Sequence, residues 1–489
     1  MNPLKSLLGQ TAIYGLPTII GRLLNYLLVP LYTSVLTPSE YGVISELYAW
    51  VAFLIVLLTM GMETAFFKFF NDKKDKDEVF RNSFLTVIGL NVLFLLALLL
   101  FNQNIADVML YSEHNEYIIL LGIIVCIDAI SALPMAKLRS DKKAVKFSII
   151  HFSAIGVNIG LNLILLTFFF DPENPEQGIL FILIANLLSS LVKPLGTYKD
   201  FFGLKWKFNV ELAREMLKYA FPLVIAGFAG IINETIDRAM LKHVLYNRGG
   251  KTLVEAEWQL GIYSACYKLA MIVTIFLQAY RYAAEPFFFS HAKNTDSRLL
   301  YAKIMNYFVA FVCLIFIGVS LNIDIFKYFI RSEEYWVGLG VVPILLLANV
   351  FYGIYLNQSI WYNLSWQTRF GAYIAIGGAV ITIGLNYIFI PIYGFWASAW
   401  ATLLVYGSQM VTSYLLGQKY YRINYNLRKF VLYFGLALLI FLVSYTVNMD
   451  PEIFSWRKFI FHNSLILLYL AVIWYIEQPL KKKKLTIES

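Results

Sequence analysis

The chain has 489 residues, of which 59% are hydrophobic and 15% are charged. Ordinary soluble domains carry about 25% charged residues, so this composition excludes a soluble globular protein and indicates a membrane protein with little extramembrane mass. The net charge of +9 does not call for a nucleic-acid partner, because a basic cytoplasmic face meets anionic membrane lipid.

Apolar runs of about 20 residues recur along nearly the whole chain, each long enough to cross about 30 Å of hydrocarbon as a helix. Short polar turns separate these runs. We therefore predict an all-α polytopic membrane protein with about fourteen transmembrane helices. The predicted spans lie near residues 7–36, 41–70, 80–101, 117–138, 147–170, 178–199, 213–245, 259–290, 299–321, 337–363, 370–390, 395–419, 428–448 and 459–477.

The basic residues fall mostly in the loops that follow the even-numbered spans. Cytoplasmic loops of membrane proteins carry an excess of Lys and Arg. We therefore expect both the N-terminus and the C-terminus to be cytoplasmic. The clearest basic segments are residues 71–81, 137–146, 419–429 and 481–484.

The sequence offers no pattern for a metal or nucleotide site. Cys126, Cys266 and Cys313 fall inside separate spans, and the five histidines are scattered. Neither set has the close spacing of metal ligands, and the P-loop pattern G-x-x-x-x-G-K-[ST] is absent. We therefore expect no cofactor, with H⁺ or Na⁺ left open as a coupling ion.

Three short sequences recur in the same order along the chain, which indicates an internal duplication. An even number of spans separates the copies, so both copies have the same orientation in the membrane. The repeated segments are YGLP at 14–17 and YAFP at 219–222, YGVISELY at 41–48 and LGIYSACY at 260–267, and IGLN at 159–162 and 383–386.

The duplication predicts two six-helix lobes related by an axis along the membrane normal. The N-lobe would span residues 1–205 with spans 1–6, and the C-lobe residues 206–424 with spans 7–12. Residues 425–489 would add spans 13 and 14, as an appended pair, and a basic cytoplasmic tail.

Two stretches resemble a known family. Residues 21–48 hold an arginine in the first span and Pro-x-Glu-Tyr-Gly before the second, and residues 383–403 hold an asparagine, a proline, Tyr-Gly and a run of small residues. Trp396 and Trp400 depart from that run. With two lobes and two extra helices, the chain resembles the polysaccharide-transport family of the multidrug/oligosaccharidyl-lipid/polysaccharide (MOP) exporter superfamily, which includes the Wzx-type O-antigen flippases.

The resemblance implies a transporter and not an enzyme. Its expected cargo is an oligosaccharide repeat unit on polyprenyl diphosphate, moved from the cytoplasmic to the periplasmic leaflet of the bacterial inner membrane by alternating access. The cleft between the lobes would bind this lipid-linked oligosaccharide. The resemblance also implies a polysaccharide polymerase and chain-length proteins as candidate partners beside membrane lipid.

Ionisable residues inside the spans are the candidate site residues, because a charge at the bilayer centre is costly and is usually functional. Cations in a cleft favour an anionic ligand, and the planar guanidinium of arginine suits phosphate oxygens. The predicted substrate-binding cations are Arg22, Lys268, Arg281 and Arg238.

Each of these cations also has a structural interpretation. Arg22 and Lys268 have no acidic residue one helical turn away, so their alternative is a salt bridge between the lobes to Asp128 or Glu46.

Arg238 and Arg281 lie four residues from Glu234 and Glu285, so their alternative is an ion pair on one helix face.

An ionisable acid inside a span could couple transport to H⁺ or Na⁺. Glu63, like Lys193 and Lys242, lies toward a helix end, so its alternative is to extend to the membrane surface. The predicted coupling acids are Asp128, Glu46, Glu63, Glu234 and Asp237.

Residues 349–363 mix aromatic and amide side chains, a combination that suits sugar rings and their hydroxyls. Helix packing and interfacial positions also enrich aromatic residues in membranes, so that interpretation stays open. The predicted sugar contacts are Tyr352, Tyr355 and Trp361.

Three other functions agree with parts of the sequence. A membrane acyltransferase would use His291 and Asp296, spaced as His-x4-Asp, but no further motif supports it. A drug exporter of the same superfamily should have an acidic cleft. A peptidoglycan-precursor flippase shares the anionic lipid carrier and stays the alternative.

Overall fold

The computed structural model describes residues 20–21, 23–72, 75–199, 207–291, 297–447 and 454–478. Within these residues the chain is helical and contains no β-strand, which confirms the all-α prediction. The α-helices of this part of the chain are α1 (Val29–Val35), α2 (Pro38–Thr59), α3 (Met62–Asp72), α4 (Lys76–Leu100), α5 (Asn102–Val108), α6 (Asn115–Ser140), α7 (Ala144–Ile164), α8 (Glu176–Gly196), α9 (Val210–Arg248), α10 (Leu253–His291), α11 (Ser297–Leu321), α12 (Ile323–Phe326), α13 (Val342–Gln358), α14 (Ile360–Leu364), α15 (Arg369–Tyr393), α16 (Phe395–Tyr420), α17 (Leu427–Thr446) and α18 (Trp456–Glu477).

Twelve helical segments of the described chain are long and apolar enough to cross a membrane. One of them, Pro38–Phe70, runs through both α2 and α3. The first predicted span is described only in part, as the shorter apolar helix Leu23–Val35, and α16 coincides with the twelfth predicted span. These segments confirm a multi-pass membrane protein with a helix at each predicted span.

Polar residues in the turns set where several helices begin. Asp75 Oδ1 accepts a hydrogen bond from Glu78 N (2.9 Å) at the start of α4. Asn209 Oδ1 accepts one from Leu212 N (3.2 Å) at the start of α9. Each side chain satisfies a backbone donor that no helical carbonyl can reach, so the polar turns seen in the sequence also define the helix starts.

We call α1–α8 the first half and α9–α16 the second half. The halves meet along α2 and α10, with further contacts of α2 and α3 to α9. A Cβ atom on Gly42 would lie 2.2 Å from the Glu257 carbonyl oxygen, and one on Gly261 would lie 1.7 Å from the Pro38 carbonyl oxygen. Only glycine permits this backbone contact, as in other close crossings of membrane helices.

Gly261→Ala is expected to weaken this junction, because its methyl group would overlap a backbone carbonyl that cannot move aside. Overpacking of this kind costs about 1–3 kcal/mol, so the thermal unfolding midpoint of the purified protein should fall. Gly318→Ala on α11 is the control, since a Cβ there meets no atom within 4 Å. An equal loss in both variants would contradict the crossing as the cause.

The C-terminal helices α17 and α18 pack on α11. Tyr469 OH donates to the Ala310 carbonyl oxygen (3.1 Å). Nearby, Lys458 Nζ lies 3.4 Å from Asp324 Oδ2, and both side chains are buried. The two C-terminal helices are therefore fixed to the second half by buried polar contacts as well as by apolar packing.

Candidate functional site

A polar cavity of 320 Å³ lies where the two halves meet. Its walls come from Leu23–Val35, α2, α7 and α8 of the first half and from α9 and α10 of the second. Polar groups inside a membrane protein face cavities or each other, because hydrocarbon offers no hydrogen bonds. We call it the asparagine cavity; its charged and amide side chains are Asn25, Asn158, Asn186, Arg238 and Lys268.

Lys268 brings a positive charge to this cavity. Its side chain is half-buried, and its ammonium makes no hydrogen bond or ion pair with any residue that the structure describes. Arg238 and Glu234 are the charged groups close enough to act on it. Because a lone ammonium inside a membrane is costly, an anionic ligand would offset its charge.

Arg238 is held beside Lys268 by several contacts. A guanidinium nitrogen donates to the Glu234 carbonyl oxygen (2.8 Å), and Cζ lies 4.2 Å from the centre of the Tyr267 ring. Its Nε lies 3.7 Å from Asp237 Oδ1, beyond hydrogen-bond distance, while Asp237 also accepts from Tyr263 OH (2.5 Å). The sequence predicted an ion pair of Arg238 with the Glu234 carboxylate. In the structure Asp237 is the acid beside Arg238, and at this distance it neutralises Arg238 only in part.

A second polar cavity, also of 320 Å³, lies within the second half. Glu234 is exposed in it, and its carboxylate has no hydrogen bond or ion pair with a described residue. The Tyr352 and Tyr406 rings stack with their centres 4.7 Å apart. We call it the tyrosine cavity; its polar lining includes Glu234, Tyr267, Arg281, Asn349, Tyr352 and Tyr406.

An ion cluster of Glu46, Tyr111, Lys242 and His243 is buried between the halves. Lys242 Nζ lies 2.6 Å from Glu46 Oε2, and both side chains are fully buried. Tyr111 OH donates to Glu46 (2.7 Å), and His243 Nε2 lies 2.9 Å from its other oxygen. Lys242 also donates to the Met109 carbonyl oxygen (2.8 Å). Because Glu46 lies on α2 and Lys242 on α9, the cluster ties the first half to the second.

This cluster corrects the expectation that Lys242 extends to the membrane surface. Its ammonium lies 3.6 Å from the centre of the Tyr111 ring, so an acid, a carbonyl and an aromatic face together replace its lost hydration. Burial and the nearby Glu46 raise the pKa of Tyr111, so its hydroxyl stays protonated and donates. Glu46 is therefore paired with Lys242 and not with Lys268.

The other two predicted coupling acids of the first half, Asp128 and Glu63, form ion pairs within that half. Lys193 Nζ donates to Asp128 Oδ1 (2.7 Å), which joins α8 to α6. Glu63 on α3 pairs with Arg139 on α6. Lys193 and Glu63, expected to reach the membrane surface, are instead half-buried in these pairs. Asp128 therefore does not form the bridge to Lys268 that was the alternative interpretation.

The comparison with known families decides which family the chain represents. The family model described as "Polysaccharide biosynthesis protein" matches residues 7–292. The chain belongs to this family. A relative described as an uncharacterized membrane protein of Haemophilus influenzae (strain ATCC 51907 / DSM 11121 / KW20 / Rd) is 22% identical over 304 residues, covering 60% of this chain and 68% of that protein.

Solved structures with a similar fold include two transporters. The lipid II flippase MurJ in an inward closed conformation has a TM-score of 0.66 at 17% identity and covers 94% of this chain and 98% of MurJ. An inward-facing multidrug resistance MATE family transporter of the MOP superfamily has a TM-score of 0.63 at 17% identity and covers 84% and 97%. The chain therefore belongs to the polysaccharide biosynthesis protein family, as the resemblance implied, and shares its fold with MurJ and with a MATE transporter.

Of the three predicted sugar contacts in this polysaccharide biosynthesis protein, one lines a cavity. Tyr352 lines the tyrosine cavity, whereas Tyr355 and Trp361 are 7% and 2% exposed and line neither cavity. Trp361 donates to Ser413 Oγ (3.2 Å) and its ring lies against Gly417. Its large ring therefore packs between helices, which corrects the expectation of a sugar contact at Trp361.

Arg22 and the side chain of Glu285 lie outside the described residues, so the role predicted for Arg22 stays a prediction. The sequence interpretation missed the asparagines of the cavity. One signal could have shown them, namely Asn158 and Asn162 one turn apart in an otherwise apolar helix.

Proposed function

We propose that this protein is a flippase that moves an oligosaccharide carried on polyprenyl diphosphate from the cytoplasmic to the periplasmic leaflet of the bacterial inner membrane. Lys268 carries the proposal, because its ammonium lies in the cavity between the halves without a hydrogen bond or ion pair among the described residues. Arg238 adds a second, partly neutralised cation in the same cavity. A diphosphate would supply acceptors for both.

The family and the physics of the membrane both support this cargo. Sugars and phosphates cannot cross hydrocarbon unaided, because burying unsatisfied polar and charged groups costs many kcal/mol. The family is described as polysaccharide biosynthesis, and MurJ, with a similar fold, is described as a lipid II flippase. Both support a glycan on a lipid carrier whose tail stays in the bilayer.

The tyrosine cavity is suited to sugars farther from the diphosphate. Tyr352, the amide of Gln278 and Arg281 all line this cavity. Aromatic faces stack on sugar rings, while amides and guanidinium groups donate to hydroxyls.

Transport by this proposal is alternating access of the two predicted lobes, residues 1–205 and 206–424, around the asparagine cavity. The close contact at Gly42 and Gly261 joins α2 to α10, and the buried ion cluster joins α2 to α9, so both hold the two halves together. Glu234 is the strongest candidate for coupling to H⁺ or Na⁺. Of the five acids named from the sequence, it alone has a carboxylate without a hydrogen bond or ion pair among the described residues.

The charge of the asparagine cavity argues against export of small cations. The described residues that line it include two basic side chains and no acidic one, whereas a cationic cargo needs net negative charge. A peptidoglycan-precursor flippase would use the same cations, so the identity of the accumulated lipid must separate the two cargoes.

Deletion of the gene in its native host tests the proposal. We expect a lipid-linked oligosaccharide to accumulate on the cytoplasmic leaflet and to disappear when the wild-type gene is restored. Its sugars identify the cargo by mass spectrometry of the extracted lipids. Accumulation of a peptidoglycan precursor would support the alternative cargo, and an unchanged lipid-linked glycan pool would contradict the proposal.

A further inference from the structure

We infer that the wall of the asparagine cavity formed by the first half is a sugar-binding subsite for the pyranose attached directly to the diphosphate. This inference rests on the proposed function. It assigns to Asn25, Asn158 and Asn186 a role that is separate from the tyrosine cavity.

Three amide side chains converge on this wall from three different helices. Asn25 lies in Leu23–Val35, Asn158 in α7 and Asn186 in α8. Each amide carries both a donor and an acceptor, and sugar hydroxyl and acetamido groups need both. Lysine and arginine side chains of the opposite wall offer donors alone.

Two of these amides have a free end in the cavity. Asn25 Oδ1 accepts from Asn158 Nδ2 (3.3 Å), and Asn186 Nδ2 donates to Tyr48 OH (3.0 Å). The other end of the Asn25 amide and of the Asn186 amide makes no hydrogen bond with any described residue, and both side chains are partly exposed. Polar groups at membrane depth need a partner, and a sugar would provide one.

A hydrogen-bond chain from Tyr32 through Asn162 fixes Asn158. Tyr32 OH donates to Asn162 Oδ1 (3.0 Å). Asn162 Nδ2 in turn donates to the carbonyl oxygen of Asn158 (2.7 Å) and to its side-chain oxygen (3.1 Å). Asn162 is fully buried, so the chain holds the Asn158 amide facing Asn25. Binding groups supported in this way lose less freedom when a ligand arrives.

The second half shows that helix packing alone does not require an open amide. The IGLN motif lies at 159–162 in the first half and at 383–386 in the second. Thr382 directly precedes the second copy, and its hydroxyl donates a hydrogen bond to Asn233 Oδ1 (3.2 Å). The Asn233 side chain is buried, and its Nδ2 donates to the Ala375 carbonyl oxygen (2.9 Å). Here the polar contact between two helices is closed and satisfied, whereas the matching contact of the first half opens into the cavity.

The position of the cations selects the sugar. Lys268 and Arg238 line the same cavity as the asparagines, so a diphosphate on the cations places its attached sugar against the amides. A volume of 320 Å³ lies at the lower end of the range of ligand pockets. The cavity therefore suits a diphosphate with one sugar, and the remaining sugars must lie elsewhere.

The test compares two lipids on the purified full-length protein in lipid nanodiscs. One probe is polyprenyl diphosphate, and the other is the same lipid carrying one N-acetylglucosamine. We expect the wild type to prefer the glycosylated lipid by about tenfold, which two hydrogen bonds of ordinary strength supply. Asn25→Ala and Asn186→Ala should each lower this preference about threefold and leave the affinity for bare polyprenyl diphosphate unchanged.

The matched control is Asn386→Ala, because Asn386 is a buried asparagine of the second half that accepts from Ser398 Oγ (2.8 Å) and lines neither cavity. It should keep the preference even if its thermal unfolding midpoint falls.

Each remaining outcome decides against one of the two proposals. A wild type without preference, or asparagine variants that lose both lipids equally, would overturn the subsite while the flippase proposal stands. A wild type that binds neither lipid would overturn the flippase proposal itself. Thermal unfolding of each variant shows that it is folded, and because Asn25 and Asn186 lie on different helices, either folded variant is sufficient.

Discussion

Lys268→Ala is expected to weaken binding of polyprenyl diphosphate about tenfold to a hundredfold and to stop transport of the lipid-linked glycan. A hydrogen bond to a charged group contributes about 1.5–3 kcal/mol, and each 1.4 kcal/mol is a factor of ten in affinity. Since the ammonium has no hydrogen bond or ion pair among the described residues, its removal should not lower stability. Binding is measured by titration of the purified protein, and transport by the accumulation of the lipid-linked glycan in cells.

Lys303→Ala provides the control for this prediction. Lys303 lies on the exposed surface of α11, so its loss changes the net charge by the same amount without touching the cavity. Both variants should reach the membrane in normal amounts. Wild-type affinity in Lys268→Ala, or an equal loss in Lys303→Ala, would show that the cavity cation does not bind the headgroup.

Lys242→Met is expected to lower the free energy of unfolding by about 3–5 kcal/mol, because it leaves the Glu46 carboxylate buried without the lysine ammonium. Both members of this pair are fully buried, so water cannot replace the lost partner. The thermal unfolding midpoint of the purified protein measures the effect. Since the pair joins α2 to α9, cross-linking of cysteines placed across this junction should also become less efficient.

A double variant separates the pair from simple loss of packing. Glu46→Leu combined with Lys242→Met removes both charges, and replacing a buried pair by apolar residues of similar volume is often neutral. We therefore expect the double variant to recover most of the lost stability. A double variant as unstable as the sum of its parts would contradict charge burial as the cause.

Lys251→Met is the matched control for this pair. Lys251 and Glu255 form an ion pair at 4.0 Å, with 44% and 53% of their side chains exposed. Because solvent screens such pairs, the midpoint should hardly change. A large fall of the unfolding midpoint in Lys251→Met would mean that the loss of a lysine destabilises the protein even where its charge is exposed.

The helices could be predicted because their signals are local. A run of about 20 apolar residues must be a helix in a bilayer, since each backbone group has to be satisfied within its own segment. Polar turn residues such as Asp75 and Asn209 then mark where helices start. The choice of Lys268 was equally local, because it depends on a charge that has no acid one helical turn away.

The partners of the other charges could not be predicted, because they come from helices far apart in the sequence. Glu46 meets Lys242 across 196 positions, and a helix wheel contains no information about its neighbours. The same reason explains why Trp361 was expected to contact sugar and is instead enclosed by packing. Aromatic side chains serve both purposes with the same local sequence.

The sequence by itself determined that this protein crosses the membrane many times, which family it resembles, and that cations lie at membrane depth. These properties depend on composition, on local periodicity and on short motifs. Only the tertiary structure decided which charges neutralise each other and which stay open to a cavity. Whether Lys242 or Lys268 lacks a partner depends on how α9 and α10 pack against α2, and that packing is a property of the whole helix bundle.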